Sequence, residues 1–165
     1  MKTVTPRITS DKLQGIGRMI GSYSSHYGSI SSSQRANNIV ISTSSINGKI
    51  LMPGDVFSFN EVVGQRTAEK GYQAAPIIVG DKLQDGLGGG VCQVSSTLFN
   101  AVSSSNLQSV ERVHHTKPVS YVPKGMDATV DYGNIDYKFK NNLETPIYME
   151  AYTSNGNVVF NLYSK

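Results

Sequence analysis

Residues 86–101 read GLGGGVCQVSSTLFNA, and this stretch constrains the fold more than any other. Three consecutive glycines cannot continue a regular element cheaply, so they mark a turn. From Val91 onward the pattern becomes helical: Val91, Val94, Leu98, Ala101 and Val102 fall at three- and four-residue steps and share one face. A glycine turn therefore feeds directly into a helix, and the only cysteine, Cys92, lies in its first turn. The first N–H groups of a helix lack intrahelical partners and carry the positive end of its dipole, which stabilises a thiolate there. The N–H groups of Gly89, Gly90 and Val91, with that of Cys92 itself, are candidates to meet a developing oxyanion. The competing reading is a buried cysteine that packs as a small apolar residue.

At 165 residues the chain fits one domain with a sizeable core. Its net charge is +3 with 16% charged residues and no basic tract, which argues against nucleic acid as a partner. One cysteine cannot form an internal disulfide, and with unspaced histidines it cannot build a tetrahedral zinc site, so neither metal nor cofactor is expected. No run of about 18 apolar residues is present to span a membrane, and residues 1–10 are too polar for a signal peptide. We expect a soluble domain over residues 21–165, with residues 1–20 as a linker or edge segment cut from a longer protein.

The elements follow from punctuation and period. Residues 21–33 are glycine- and serine-rich and read as a loop carrying His26. Ser33 can cap a helix running to about Asn47, with Ala36, Ile39, Val40, Thr43 and Ile46 as its buried stripe and Gly48 ending it. Residues 49–59 read as strand, Pro53-Gly54 turn, strand. Residues 60–67 are a loop or short helix carrying Arg66, residues 75–79 a short buried strand, and residues 80–85 a connection into the glycine run. Residues 107–113 can form a strand that delivers Glu111, Arg112, His114 and His115. Strands over 128–132, 135–141, 145–153 and 157–163 make a β-meander by pattern. The expected class is α+β, about two main helices packed on a largely antiparallel sheet.

A cysteine nucleophile needs a base within hydrogen-bond reach, and the base needs an orienting partner. His114 and His115 leave a strand as neighbours, so at most one faces Cys92. The third group is open between Asp127, Asp131, Asp136 and a backbone carbonyl, with Asp127 favoured because it sits between a glycine turn and a strand. This order of parts is that of papain-like thiol acyltransferases. Arg35, Arg66 and Arg112 are candidates to hold a carboxylate, since a guanidinium matches one bidentately. Gln93, Ser95 and Tyr121 are polar or aromatic candidates for substrate contacts.

Several segments together resemble one family. They are Arg35-Ala36-Asn37-Asn38-Ile39, Pro53-Gly54-Asp55-Val56-Phe57-Ser58-Phe59-Asn60, Val63-Gly64-Gln65-Arg66-Thr67, Gly88-Gly89-Gly90-Val91-Cys92-Gln93, Glu111-Arg112 with His115, and Tyr121-Val122-Pro123 with Asp127-Ala128-Thr129-Val130. In order and content the chain resembles the VanW-like domain of Gram-positive envelope proteins, from about Gly21 to Tyr163. The resemblance implies a cell-wall role on the extracellular face of the envelope, in a longer, membrane-anchored protein. It also implies peptidoglycan stem peptides as partners. Some members resemble L,D-transpeptidases, which form 3-3 cross-links. Carried over, Cys92 would be the nucleophile and His115 the base, while His114 occupies a variable position. The alternatives are a cysteine L,D-carboxypeptidase or stem endopeptidase, and a non-catalytic peptidoglycan-binding module.

Overall fold

The structure is a computed structural model that describes residues 14–28, 31–79 and 82–165. Of the linker or edge segment expected over residues 1–20, residues 1–13 lie outside the described residues. Nine strands are present among them: β1 (Arg18–His26), β2 (Ile50–Leu51), β3 (Val56–Ser58), β4 (Ala74–Val79), β5 (Lys82–Leu87), β6 (Gln108–Glu111), β7 (Lys138–Lys140), β8 (Ile147–Ser154) and β9 (Asn157–Ser164). Two long helices, α1 (Ser33–Ile46) and α3 (Val91–Ser104), are joined by a short one, α2 (Phe59–Val63), and a 3-10 turn at Ala68–Lys70.

The strands form three antiparallel sheets: β1-β9-β8-β2, β3-β7-β6, and the hairpin β4-β5. The class is α+β, as the sequence predicts. Of the four C-terminal strands expected, β8 and β9 pair as a hairpin and β7 joins a different sheet. Residues 128–132 make only one bridge, Asp131 to Ile135.

The four-stranded sheet buries Ile147, Met149 and Ala151 of β8 and Val158, Phe160 and Leu162 of β9. These alternate along each strand, so one face of the sheet is apolar. Helix α3 covers it from β1 to β9, and α1 packs beside it on β8. Val94, Leu98, Ala101 and Val102 are fully buried there, each large side chain contributing about 1.5–3 kcal/mol on burial. The other faces of α3 are buried too, through Gln93, Ser95, Ser96, Thr97 and Asn100. In the three-stranded sheet Phe57 stacks on Phe139 at 5.1 Å, and Tyr137 meets Phe99 of α3 edge-on at 5.9 Å.

Local details differ from the sequence reading. Ser32, not Ser33, caps α1, its hydroxyl accepting from the N–H of Arg35. Val40 is exposed, because it lies one residue round the helix from Ile39, which faces the core. Residues 21–26, expected as loop, are the second half of β1. A Cβ on Gly21 would lie 1.8 Å from Ser105 Oγ and 2.7 Å from the Ala101 carbonyl, so small residues here let the strand lie directly on α3. Residues 82–85, expected as a connection, are strand β5. In β4, expected as a buried strand, Ala75 is buried and Ala74 and Pro76 are exposed, because its hairpin stands as a separate two-stranded sheet.

Candidate active site

The glycine turn is fixed from three sides. Gly88 and Gly90 have φ of +92° and +104°, and Gly90 caps α3. A Cβ on Gly88 would meet Arg66 Cγ at 2.7 Å, and one on Gly90 would meet Arg35 Cγ at 2.8 Å. On Gly89 it would meet the Ala75 carbonyl oxygen at 2.4 Å. Fully buried Asn38 locks this arrangement: its Nδ2 donates to the carbonyls of Gln73 (2.8 Å) and Gly89 (2.9 Å), and its Oδ1 accepts from Gln73 N at 2.9 Å. The sequence reading quoted Asn38 within the Arg35–Ile39 segment but gave it no role. Its signal was an amide beside Ile39, on the side of α1 that the periodicity turns inward.

Within the turn, Gly89 N–H donates to Gly86 and Val91 N–H to Gly88, at 3.3 and 3.0 Å. Two of the N–H groups expected to face an oxyanion are thus already engaged. Those of Gly90 and Cys92 have no acceptor among the described residues and are the ones available.

Cys92 is partly exposed, and its thiol donates to the Val130 carbonyl at 3.5 Å. The His115 imidazole lies near enough to Cys92 for the thiol's hydrogen bonding and charge to act on its titration. Asp127 Oδ2 accepts from both the backbone N–H of His115, at 2.7 Å, and its Nδ1. That leaves Nε2 for the thiol. Both side chains are buried, at 7% and 4% exposure. Burial alone would lower the His115 pKa, but the hydrogen bond and charge of Cys92, followed by those of Asp127, outweigh it and hold it above the ordinary imidazole value. Burial alone would raise Asp127, but the two hydrogen bonds and charge of His115 hold it below the usual carboxylate value. Of the three aspartates left open by sequence, Asp127 is the one on His115. Asp131 accepts from Asn134, and Asp136 accepts from Ser58 and the Asn60 N–H in anchoring α2. His114 is exposed and bonds the His115 carbonyl at 2.9 Å, while His26 pairs with Asn157 away from the site.

The remaining candidates divide. Arg35 lies over the Tyr121 ring at 5.8 Å, and Arg66 over Phe59 at 5.5 Å. Burial lowers the pKa of each guanidinium, and the charge of Cys92 acts on both in the opposite sense. For Tyr121, burial followed by the charge of Cys92 raises the pKa well above the phenol value, so it remains a donor. Arg112, by contrast, is committed to the scaffold: Nε donates to the Asp127 carbonyl (2.9 Å), Nη2 to that of Gly125 (2.6 Å), and the group stacks on Phe99 at 4.2 Å. Gln93 turns to Ser25 and the His26 carbonyl, and Ser95 to the Ala128 carbonyl. These three hold in place the strand and loop that flank the thiol.

The α+β domain thus gathers a thiol at a glycine-fed helix start, an imidazole near it and a carboxylate on the imidazole. The family model described as "VanW like protein" matches residues 34–163, and the chain belongs to that family. It is 45% identical over 98% of its length to the uncharacterized protein YoaR of Bacillus subtilis, covering 53% of that protein. It is 31% identical over 65% of its length to the vancomycin B-type resistance protein VanW of Enterococcus faecalis, covering 41% of it. The chain thus spans about half the length of the curated relatives it matches. No solved structure matches. Among the described residues no helix is long and apolar enough to cross a membrane, and no cluster of three or more metal-ligating side chains is present.

Proposed function

We propose that this domain is a peptidoglycan L,D-transpeptidase that works through a thioester on Cys92. The observation that carries the reading is the buried His115–Asp127 pair with the Cys92 thiol near it at the start of the helix that the glycine turn feeds. The partner is a peptidoglycan stem peptide on the outer face of the cell envelope, and the chain is one region of a longer, anchored protein.

The donor is a tetrapeptide stem. The Cys92 thiolate attacks the carbonyl of the diaminopimelate L-centre, forming the C–S bond, while the N–H groups of Gly90 and Cys92 receive the oxyanion. As the C–N bond to D-alanine breaks, His115 passes its proton to the departing amine. The side-chain amine of a second stem then attacks the thioester. Its proton goes to His115, the new C–N bond forms, and the C–S bond breaks to return the thiolate. Asp127 keeps the imidazole oriented and stabilises its charged form.

The test is incubation of the purified chain and its Cys92→Ala variant with disaccharide-tetrapeptide, followed by mass spectrometry. A dimer lacking one D-alanine, absent with the variant, is the expected result. Loss of D-alanine without dimer would replace the transferase by a hydrolase. No reaction, with donor still bound, would favour a binding module.

A further inference from the structure

Arg35 and Arg66 come from different elements, α1 and the loop after α2, their stems pack on the two ends of the glycine turn, Gly90 and Gly88, and the charge of Cys92 acts on both. Neither pairs with a carboxylate among the described residues, where His115 pairs with Asp127 and Lys138 with Glu111. Their hydrogen bonds go to neutral oxygens: Arg35 Nη1 to Ser31 Oγ (2.6 Å), Arg66 Nη1 to the Gly64 carbonyl (2.9 Å) and Nη2 to Asn60 Oδ1 (2.9 Å). A guanidinium has five N–H donors, so both keep donors to spare. Two half-buried cations without a contacting carboxylate are costly to hold, and on Arg66 the charges of Asp136 and Asp131 act only beyond ion-pair distance. A second observation points the same way. The Tyr72 hydroxyl, on a side chain 3% exposed, has no hydrogen-bond partner and lies in the field of Arg66. A phenol O–H in the field of a guanidinium offers the kind of donors that a carboxylate takes.

We infer that Arg66 with Tyr72, and Arg35, are two separate carboxylate seats at the two ends of the Gly88–Gly90 turn, so that the donor carries two free carboxylates flanking the carbonyl that Cys92 attacks. This rests on the acyl-transfer reading and deepens it. In a stem tetrapeptide the two groups are the C-terminal carboxylate of D-alanine and the carboxylate at the far centre of diaminopimelate. A donor lengthened beyond D-alanine moves the first out of its seat, and amidation of diaminopimelate removes the second. The amidation state of the wall would thereby set which stems this domain accepts.

The experiment measures binding without chemistry. Cys92→Ala protein is titrated by calorimetry with a tetrapeptide stem whose isoglutamate is amidated throughout. Two further versions carry a carboxamide, one at D-alanine and one at diaminopimelate. Each carboxamide is expected to weaken binding about tenfold or more, as a lost charge-assisted pair would. Arg35→Gln should abolish the response to one carboxamide and Arg66→Gln the response to the other. The three peptides test the claim on a protein with both arginines intact, should either variant fold poorly. Equal affinity for all three peptides would overturn the inference, as would two arginine variants that respond alike. If the peptides are discriminated but the protein with Cys92 intact yields no product, the seats stand and the acyl-transfer reading falls. If that protein turns over all three donors equally, the reverse holds.

Discussion

Asn38 offers the sharpest test of how the glycine turn is held. Its amide makes three hydrogen bonds of 2.8–2.9 Å, two from Nδ2 to carbonyls and one to Oδ1 from an N–H. Asn38→Ala removes all three. At about 0.5–1.5 kcal/mol each, the expected loss is roughly 2–4 kcal/mol. Asn38→Asp has nearly the same shape but aims a carboxylate at the Gln73 and Gly89 carbonyl oxygens. At neutral pH it should therefore be less stable than Asn38→Ala despite keeping the acceptor for Gln73 N–H. Acidification should recover part of that deficit, because a protonated carboxyl can donate one bond. Urea denaturation of the three proteins at pH 7 and pH 5 measures this. If Asn38→Asp matches or exceeds Asn38→Ala at pH 7, Asn38 does not clamp two carbonyls and the account of the turn is wrong.

Gly89→Ala places a Cβ 2.4 Å from a backbone oxygen that cannot swing away, so a loss of about 1–3 kcal/mol and slower alkylation of Cys92 are expected. Gly17→Ala, with nothing within 4 Å of its Cβ position and no positive φ, should leave that alkylation rate unchanged. Asp127→Asn should cut turnover at least about a hundredfold and move the alkaline limb of the rate profile to lower pH, because His115 loses a charge that raises its pKa. In stability the His115 contribution is full below its unfolded pKa and fades as pH rises through the raised folded value. That of Asp127 is full above its unfolded pKa and fades as pH falls through the depressed one. The pair therefore stabilises most between about pH 4 and 6.5, and the fall in thermal stability on either side of that window should be smaller in Asp127→Asn. Arg112→Leu should cost roughly 2–4 kcal/mol and reduce turnover by freeing the loop that carries Asp127. Donor affinity, measured by titration in the Cys92→Ala background, should change less than twofold.

The parts of the fold that repeat a physical pattern were legible in the sequence. The apolar face of α3, the Gly88–Gly90 turn and the alternation in β8 and β9 are local signals, and each appears where the spacing places it. Strand β1 was not legible. Its serines and Gly21 look like a loop, but they are small because the strand lies against α3, a contact 72 residues distant in the Ser25–Thr97 hydrogen bond. Arg112 and Arg66 are equally basic in sequence, and only the tertiary fold shows that one is spent on backbone carbonyls while the other keeps donors to spare. The oxyanion N–H groups depended on which amides the turn consumes internally, which residue type does not encode.

The most direct test of the central claim is intact-protein mass spectrometry of the domain mixed briefly with tetrapeptide donor and quenched in acid. The expected result is an adduct equal to the donor minus D-alanine, mapped to Cys92, absent in Cys92→Ala and discharged by an added amine acceptor. A domain that releases D-alanine while Cys92 stays unmodified, or that does so equally well as Cys92→Ala, would contradict the account.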